Sequence, residues 1–286
     1  MSFWLDACAA GLLIVSGPLN ETYRVCVDGE ALFVRRRTVF DAEYGQSFAG
    51  ERQVPEEVAR RARLPRLRHV VCDEEGREAL AVFDWIDGRA LRRGELPDAL
   101  IDLLAEIHAL SAPGFGPVGD HQATPDARPF VRLLIAAEAE RLKGTGLEAD
   151  SRHVAEAAAD DLGCLAGEAP CLCHGDVHRR NVLLTPNGDV VLVDWEAVRY
   201  RVAAADFNQA TVNWLSSAQD TAAVAAYADR CGRDRSTFAA QVALLRLLWH
   251  LRTYNFQVLV RREPRDAHSH HLRAALEQWS AVQRAT

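Results

Sequence analysis

The fold is decided by one stretch of sequence, Cys171-Leu-Cys-His-Gly-Asp-Val-His-Arg-Arg-Asn-Val-Leu-Leu184, and by its continuation Val190-Val-Leu-Val-Asp-Trp-Glu196. The end of the first segment and the start of the second are short, apolar and rich in valine and leucine, and Pro186-Asn-Gly-Asp189 joins them. An Asn-Gly pair between two such runs is the strongest short-range signal of a β-hairpin. The sequence therefore predicts a hairpin at this point of the chain.

Three polar residues flank the predicted hairpin. Asp176 and Asn181 lie at its entrance and Asp194 lies at its exit. The hairpin would thus bring together three oxygen ligands that are far apart along the chain. Oxygen ligands of this kind suit a hard divalent cation and phosphate groups. A polar hairpin with merely solvated acids is the alternative, and it is disfavoured because several spaced positions match one motif at once.

The spacing of these residues is more specific than their composition. His174-Gly-Asp176, with Asn181 five positions after the aspartate, resembles the H-R-D-x-x-x-x-N loop of protein kinases, and Asp194 stands where the D-F-G aspartate stands. Gly175 in place of arginine, and Trp195-Glu196 in place of Phe-Gly, make the chain resemble the aminoglycoside phosphotransferase and choline kinase family instead. The resemblance implies an α+β, two-lobed protein kinase-like fold, with a small antiparallel-sheet N-terminal lobe and a larger, mainly helical C-terminal lobe.

Composition and charge disfavour several classes of partner. The chain has 286 residues, of which 49% are hydrophobic, so it is long enough for two lobes with their own cores. Its formal net charge of −7, without a long block of basic residues, argues against nucleic acid as a partner. The apolar run 7–15 is about half of the ~20 residues that a bilayer requires, and no basic segment precedes it. We therefore expect no membrane insertion and a cytoplasmic location.

The cysteine and lysine content indicates which metal and phosphate contacts the chain can make. Seven scattered cysteines, an odd number, agree with a reducing compartment rather than a disulfide framework. The pattern Cys171-x-Cys173-His174 has no second matched pair, so it predicts buried structural thiols rather than a zinc site. Lys143 is the only lysine among 33 basic residues. A cationic side chain that contacts phosphate is therefore expected to be an arginine.

Residues 12–37 predict an antiparallel meander. The runs 12–15, 22–27 and 31–37 are apolar or alternate as strands do, and Asp28-Gly29 marks a tight turn. A meander of this kind would cover a nucleotide, as the glycine-rich loop of kinases does.

The resemblance assigns nucleotide-binding roles within and after this meander. The candidate residues on the covering loop are Ser16, Gly17 and Asn20. The cation that reaches the phosphates would be Arg35, with Arg37 on the same strand face as the alternative. A helix is predicted over 55–63, and its Glu57, or else Glu56, would pair with that arginine as the αC glutamate does in kinases.

A second predicted hairpin, 70–83, ends at the segment Asp84-Trp-Ile-Asp-Gly88. In the family this segment resembles the hinge, where backbone groups bind adenine. The candidate hinge residues are Asp84, Trp85 and Ile86. We accordingly predict a nucleotide-binding lobe over residues 1–86 and a helical lobe, with the catalytic loop and the acceptor site, over residues 87–286.

Two residues of the predicted helical lobe are expected to have structural roles. His108 ends an apolar helical pattern over 99–110, and we interpret it as a buried structural histidine rather than a catalyst. Asp206 follows Asp194 by twelve residues, and the resemblance implies that it fixes the loop.

The resemblance implies an enzyme that transfers the γ-phosphate of ATP, or of GTP, to an alcohol group of a small molecule with the help of Mg²⁺. Asp176 would accept the hydrogen bond of the acceptor hydroxyl, Asn181 and Asp194 would hold Mg²⁺, and Arg35 would be the fixed cation. An alternative of another class is a non-catalytic, nucleotide-binding pseudokinase. Loss of Asp176, Asn181 or Asp194 would have indicated it, and all three are present.

The acceptor is less well defined by the sequence. Asp194-Trp-Glu196 resembles the corresponding segment of choline and ethanolamine kinases, so we predict a cationic amino alcohol as acceptor. The candidate acceptor residues are Glu196, Trp214 and Trp249. Arg252 replaces the second tryptophan of an L-W-x-L-W helix, which weakens an aromatic cage for an ammonium group. An aminoglycoside or other antibiotic, or thiamine, therefore remains open.

Overall fold

The computed structural model describes residues 1–16, 20–38, 48–52, 54–61, 63–118, 124–143, 152, 155–159, 162–208, 214–261 and 265–285. The chain divides into two compact units. The first, which we call the sheet unit, comprises Met1–Leu91 and Arg180–Val198. The second, the helical unit, comprises Arg92–Arg179 and Arg199–Thr286.

The sheet unit is built on a five-stranded antiparallel sheet with the order β1-β2-β3-β5-β4. Its strands are β1 (Leu12–Ser16), β2 (Asn20–Val27), β3 (Glu30–Arg37), β4 (Leu67–Cys72) and β5 (Glu78–Asp84). Its helices are α1 (Ser2–Ala10), α2 (Ala49–Arg52) and α3 (Glu56–Arg61). The turn between β2 and β3 has positive φ angles at Asp28 (52°) and Gly29 (84°), as a two-residue hairpin turn requires. The predicted meander is confirmed.

Strand alternation gives β3 two different faces. On one face, Leu32 and Val34 are buried in a core cluster with Leu80, Val82 and residues of α1 and β2. On the other face, Phe33 packs against a second cluster that contains Phe48 and Phe83. Arg35 is directed to this second face because it is two residues after Phe33.

The predicted hairpin also belongs to the sheet unit. Its strands are β9 (Val182–Leu184) and β10 (Val190–Leu192), and β9 also pairs with β6 (Arg89–Ala90). The turn is closed by the N–H of Thr185, which donates to the carbonyl of Asp189 at 2.9 Å. Because β6 pairs with β9, the hairpin belongs to the sheet unit. The division predicted after residue 86 places the hairpin in the helical lobe instead.

The helical unit contains α4 (Asp98–His108), α5 (Ala127–Arg141), α6 (Ser217–Arg230), α7 (Arg235–Asn255) and α8 (Arg265–Ala285). A small antiparallel sheet has the order β7-β11-β8, with β7 (Gly116–Pro117), β8 (Cys171–Cys173) and β11 (Arg199–Arg201). Short 3₁₀ turns cover Gly163–Leu165 and Ala203–Phe207, and Phe256–Val260 is a π-helical turn. The chain is thus an antiparallel sheet followed by a mainly helical part, as predicted.

Local sequence signals explain where the long helices begin. Ser216 and Gln219 form a reciprocal capping box at the start of α6. The Asp234 side chain accepts a hydrogen bond from the N–H of Thr237 at the start of α7. Among the described residues, none of the helices combines the length and apolar character that crossing a membrane requires.

Candidate active site

Arg35 is buried at the centre of a carboxylate cluster in the sheet unit. Its Nη1 lies 3.0 Å from Asp194 Oδ1, 3.3 Å from Glu51 Oε1 and 3.6 Å from Glu196 Oε2. Burial by itself lowers the pKa of Arg35, but the charges of the three carboxylates outweigh it and raise that pKa. The cluster therefore holds a permanently charged guanidinium that three acids share.

Aromatic rings form the rest of this environment. The guanidinium carbon of Arg35 lies between 5.7 and 5.9 Å from three ring centroids, those of Phe33, Phe48 and Phe83. Rings at this distance attract a cation and exclude water from one side of it. Arg35 is consequently fixed in position rather than free to sample solvent.

Burial disfavours the charged form of two acids around Arg35 and raises their pKa values. Burial raises the pKa of Glu51 to about 7 in spite of the opposing charge of Arg35. Burial and the charge of Asp194 raise the pKa of Glu196 to about 8. Asp194 Oδ1, Glu196 Oε2 and Glu51 Oε2 are buried and accept no hydrogen bond from the described residues. Asp194 Oδ1 and Glu196 Oε2 lie beside the guanidinium of Arg35, and a cluster of carboxylate oxygens of this kind also suits a divalent cation, which prefers oxygen ligands.

The turn after β10 presents Asp194 to the cluster. Asp194 has a left-handed backbone (φ 69°, ψ 62°), a conformation that aspartate tolerates better than most residues. The next residue, Trp195, donates its backbone N–H to Glu51 Oε1 at 3.1 Å and its indole N–H to the carbonyl of Leu192 at 2.9 Å. The N–H of Val193 donates to the carbonyl of Asn181 at 2.9 Å, which joins the two ends of the hairpin. The hairpin thus brings Asn181 beside the strand end that carries Asp194, as predicted.

The catalytic-loop motif lies in the helical unit and is held by Asp206. The backbone N–H groups of His174 and Gly175 donate to the two carboxylate oxygens of Asp206 at 2.9 and 2.7 Å. His108 Nε2 lies 3.0 Å from Asp206 Oδ2, and its Nδ1 lies 2.6 Å from the hydroxyl of Tyr227. Burial favours the neutral acid, but these bonds outweigh it and lower the pKa of Asp206. His108 is thus a buried histidine whose two ring nitrogens have partners, as predicted, and Asp206 holds the loop backbone as the resemblance implied.

Asp176 follows directly from this anchored backbone. Gly175 has a φ of 84°, and the N–H of Asp176 donates to Nδ1 of His174 at 3.2 Å. The Asp176 side chain is half-buried, and its Oδ2 lies 3.6 Å from His178 Nε2. His174 therefore fixes the loop, and Asp176 is the acid that the loop presents.

Residues 12–240 match the family model described as the phosphotransferase enzyme family, APH. The chain belongs to this family. The predicted enzyme class, a phosphotransferase with an alcohol group as acceptor, is thereby confirmed. A search of curated proteins gave no significant match to this phosphotransferase.

Solved structures of similar fold include a choline kinase, an aminoglycoside phosphotransferase and a macrolide phosphotransferase. Choline kinase LicA from Streptococcus pneumoniae has 15% sequence identity over 98% of each chain, with a TM-score of 0.65. A thermostable mutant of aminoglycoside phosphotransferase APH(4)-Ia, in a ternary complex with ADP and hygromycin B, has 17% identity over 99% of this chain and 97% of that chain, with a TM-score of 0.63. Macrolide 2′-phosphotransferase MphH from Brachybacterium faecium has 18% identity over 97% of each chain, with a TM-score of 0.59. At these identities the likeness concerns the fold, and it confirms the predicted kinase-like α+β architecture.

The acidic partner predicted for Arg35 was wrong. Glu51 in α2, rather than Glu56 or Glu57 in α3, contacts Arg35. The carboxylate of Glu57 is 47% exposed and pairs with Arg61 one helical turn away, at 2.7 Å. Acids are ordinary in the first turn of a helix, where they favour the helix dipole. Glu51 was missed because α2 has only four residues, too few for a periodic pattern.

The alternative cation, Arg37, lies next to the cluster rather than in it. Its guanidinium carbon is 4.8 Å from the centroid of the Phe48 ring, and burial lowers its pKa. Asn20 lies opposite Arg37 in the β2–β3 register, and its Oδ1 is buried without a hydrogen-bond donor among the described residues. Ser16 is exposed at the end of β1, and Gly17 lies outside the described residues.

The predicted hinge residues form the end of β5 and the segment after it. The Asp84 carboxylate accepts a hydrogen bond from Arg68 Nε, and its N–H donates to the carbonyl of Arg66 at 3.0 Å. The ring of Trp85 lies 5.0 Å from the guanidinium carbon of Arg24, and Ile86 is half-buried. Binding of adenine by this segment stays a prediction.

Two of the three predicted acceptor residues are engaged within the protein itself. Glu196 belongs to the cluster around Arg35. Trp214 is only 3% exposed, and its indole N–H donates to the carbonyl of Glu95 at 2.8 Å, so it is a core residue of the helical unit. Trp249 is half-buried, with its ring edge-on to that of His250 at 4.9 Å. Trp249 is therefore the predicted acceptor residue that keeps an accessible ring.

Proposed function

We propose that this phosphotransferase is a small-molecule kinase, which transfers the γ-phosphate of ATP, with GTP as the alternative donor, to a hydroxyl group in the presence of Mg²⁺. Family membership supplies the reaction class. The sheet unit supplies the features that a nucleotide and its metal require, and the helical unit supplies the acid that an acceptor hydroxyl requires.

The cluster around Arg35 is the observation that carries this proposal. A fixed guanidinium can contact phosphate oxygens while staying charged. The carboxylate groups of Asp194 and Glu196, which lie beside Arg35, would hold Mg²⁺ together with the side-chain oxygen of Asn181. When bound, the ion would neutralise charge on the phosphate oxygens of the nucleotide. Glu51 bridges Arg35 and the backbone of Trp195, so it would keep the cation and the metal-binding turn in register.

Asp176 would position the acceptor. Its carboxylate would accept the hydrogen bond of the hydroxyl and take up its proton as the hydroxyl oxygen forms a bond to the γ-phosphorus. The bond between that phosphorus and the β,γ-bridging oxygen breaks in the same step, and ADP leaves with its electron pair. The bonds from Asp206 to the loop backbone would hold Asp176 in place for this step.

The acceptor proposed from the sequence is an amino alcohol of the choline or ethanolamine type. Its support is the Asp194-Trp-Glu196 motif and the accessible ring of Trp249. An aminoglycoside or other antibiotic, or thiamine, is the alternative. Similar solved structures are named as a choline kinase and as a phosphotransferase bound to hygromycin B, so they favour neither acceptor over the other.

A non-catalytic nucleotide-binding module is the alternative of another class. Asp176, Asn181 and Asp194 are all present in this chain, and the loop that bears Asp176 is held by hydrogen bonds. These features favour catalysis, because binding alone would not require an anchored Asp176.

The test combines nucleotide binding with turnover. Thermal unfolding is measured with ATP plus Mg²⁺ and with ATP plus a chelator, for the wild type, for Asp194→Asn and for the control Asp189→Asn at the other end of β10. We expect a metal-dependent rise in Tm for the wild type and the control, and none for Asp194→Asn. ADP release is then measured in a coupled assay across choline, ethanolamine, thiamine and aminoglycosides. The absence of a metal-dependent shift in the wild type would contradict the proposal.

A further inference from the structure

A buried arginine of α7, Arg246, forms a two-pronged ion pair with Asp220 in the first turn of α6. Its Nη1 lies 3.1 Å from Asp220 Oδ2, and its Nη2 lies 3.0 Å from Asp220 Oδ1. Arg246 is 8% exposed and Asp220 is 7% exposed, so both charges are largely removed from water. A planar guanidinium that one carboxylate contacts at two points has a single preferred orientation. The pair therefore fixes the direction of the N–H groups of Arg246 that Asp220 does not use.

One of these N–H groups, on Nη2 of Arg246, donates to the backbone carbonyl of Phe207 at 3.0 Å. Phe207 is the last residue of the 3₁₀ turn Ala203–Phe207. The last carbonyls of a helical turn have no partner within the turn, and a basic side chain is one of the groups that satisfy them. Because Phe207 is buried, Arg246 rather than bulk water satisfies this carbonyl. Arg246 thus supplies a bond that the turn itself cannot make.

The same turn carries the residue that holds the catalytic loop. Asp206 immediately precedes Phe207 in the chain. Its carboxylate accepts the backbone N–H groups of His174 and Gly175 at 2.9 and 2.7 Å. Asp176 follows these two residues directly. A displacement of the turn would therefore pass through Asp206 to the backbone from which Asp176 extends.

The aromatic contacts of the turn define its position less sharply than this hydrogen bond does. The ring of Phe207 lies edge-on to the ring of Tyr227 at 5.0 Å and to the ring of Phe238 at 5.5 Å. Aromatic pairs are favourable over a broad range of centroid distances, about 4.5 to 7 Å, so they tolerate a shift of the turn. A hydrogen bond tolerates much less, because it weakens steeply with distance and angle. Arg246 is consequently the contact that fixes the backbone of Phe207.

We propose that Arg246 is a positioning residue of the catalytic loop, which holds the turn of Asp206 through the carbonyl of Phe207 and thereby sets the position of Asp176. Asp220 is its partner and orients the guanidinium. The inference rests on the proposed function, which gives Asp176 the task of accepting the proton of the acceptor hydroxyl. A displacement of a catalytic group by about 1 Å can lower a rate by roughly 10²-fold, so a contact two steps away from the chemistry can control turnover.

Three variants of the full chain test the proposal. Arg246→Lys keeps the positive charge beside Asp220 but replaces the planar fork with a single ammonium group. The double variant Asp220→Asn with Arg246→Gln removes both charges, so it leaves no unpaired buried charge and serves if the lysine variant does not fold. Arg233→Lys is the matched control, because Arg233 Nη1 pairs with both carboxylate oxygens of Glu168 in the same unit, at 2.9 and 2.8 Å.

Hydrogen exchange followed by mass spectrometry reports on the loop directly. The N–H groups of His174 and Gly175 are bonded to Asp206, so they exchange when these bonds open. The peptide that contains them should exchange roughly 10-fold or more faster in Arg246→Lys and in the double variant than in the wild type, relative to a peptide from α5 that reports global stability. In Arg233→Lys the same ratio should stay at the wild-type value. A ratio that is unchanged in Arg246→Lys and in the double variant, or that rises as much in Arg233→Lys, would overturn the proposal.

Steady-state kinetics give the second measurement, in the coupled ADP assay with the best acceptor of the series described above. Arg246→Lys should lower kcat by roughly 10-fold and change the KM for ATP by less than about 2-fold, because the residues assigned to the nucleotide belong to the sheet unit. Combined with Asp206→Asn, it should lower kcat by less than the product of the two separate losses, since both changes act through the same turn. A kcat equal to that of the wild type, or losses that multiply, would refute the positioning role.

The two proposals fail in different ways. Absence of the metal-dependent response to ATP in the wild type would refute the kinase proposal, and hydrogen exchange would still decide whether Arg246 holds the loop. A normal response to ATP, with unchanged loop exchange in Arg246→Lys and in the double variant, would refute only the role of Arg246.

Discussion

Replacing Glu51 with glutamine should stabilise the ligand-free protein at pH 8 and change it little at pH 5. Burial raises the pKa of Glu51 from 4.5 to about 7, so the folded protein binds the proton more tightly than the unfolded chain. Stability that is present below pH 4.5 is therefore lost progressively as the pH rises through 7. The interval between the two pKa values corresponds to about 3 kcal/mol at pH 8 and to under about 1 kcal/mol at pH 5.

Glutamine is the suitable replacement because it removes the charge and keeps the contacts. Its side-chain oxygen can still accept the N–H of Trp195 and the guanidinium of Arg35, which lie 3.1 and 3.3 Å from Glu51 Oε1. Two carboxylates, Asp194 and Glu196, would still balance the charge of Arg35. The penalty of ionising a buried acid should therefore disappear without loss of the hydrogen bonds.

The measurement is thermal or denaturant unfolding of the metal-free protein in a chelator, at intervals from pH 5 to 8. A gain of about 3 kcal/mol corresponds to a rise in Tm of roughly 5–10 °C for a chain of this size. Glu57→Gln is the matched control, because this acid is 47% exposed and its surface ion pair with Arg61 contributes little to stability. Parallel pH profiles for Glu51→Gln and the wild type, or a lower Tm for the variant at pH 8, would refute the reasoning.

Further variants separate the roles of the other acids. Asp176→Asn should lower kcat by roughly 10²-fold and leave the thermal response to ATP and Mg²⁺ intact, and near-normal turnover would contradict its role. Asp194→Ala should abolish that metal-dependent response, and a retained response would count against a metal site there. The left-handed backbone at this position should also destabilise the alanine variant by about 1 kcal/mol. Glu196→Gln should raise the KM for ATP more than the KM for the acceptor, because Glu196 lies 3.6 Å from Arg35, and steady-state kinetics with each substrate varied decides this. Asp206→Asn should lower both kcat and Tm, since one acceptor for the loop N–H groups becomes a donor, and a variant with unchanged Tm would show that the loop does not need it.

The parts of the fold that the sequence predicts are those governed by local chemistry. The hairpin from 182 to 192 is specified by Asn187-Gly188 between two valine- and leucine-rich strands. The β2–β3 turn is specified in the same way by Asp28-Gly29, both with positive φ. The proximity of Asn181 and the strand end that carries Asp194 is also local, because this hairpin joins them.

The parts that the sequence did not predict depend on contacts between distant segments. Glu51 reaches Arg35 from a four-residue helix that has no pattern of its own. Glu196 was expected to face the acceptor, yet the turn after Asp194 directs it towards Arg35 instead. Trp214 was expected at the acceptor, but burial of its ring and the bond to Glu95 depend on packing that no motif encodes. Arg35, Glu196 and Trp214 could be singled out in the sequence, whereas the residues that they contact could not.

The choice of arginine at position 35 has a consequence for how the protein responds to acidity. A lysine ammonium placed among the rings of Phe33, Phe48 and Phe83 could lose its proton, since burial lowers the pKa of lysine by several units when the group is desolvated. A guanidinium stays protonated in the same setting. The cation is thus constant, and only the acids around it can titrate. Burial raises the pKa of Glu51 to about 7 and that of Glu196 to about 8, so these two acids are the groups of the cluster whose charge changes near neutral pH.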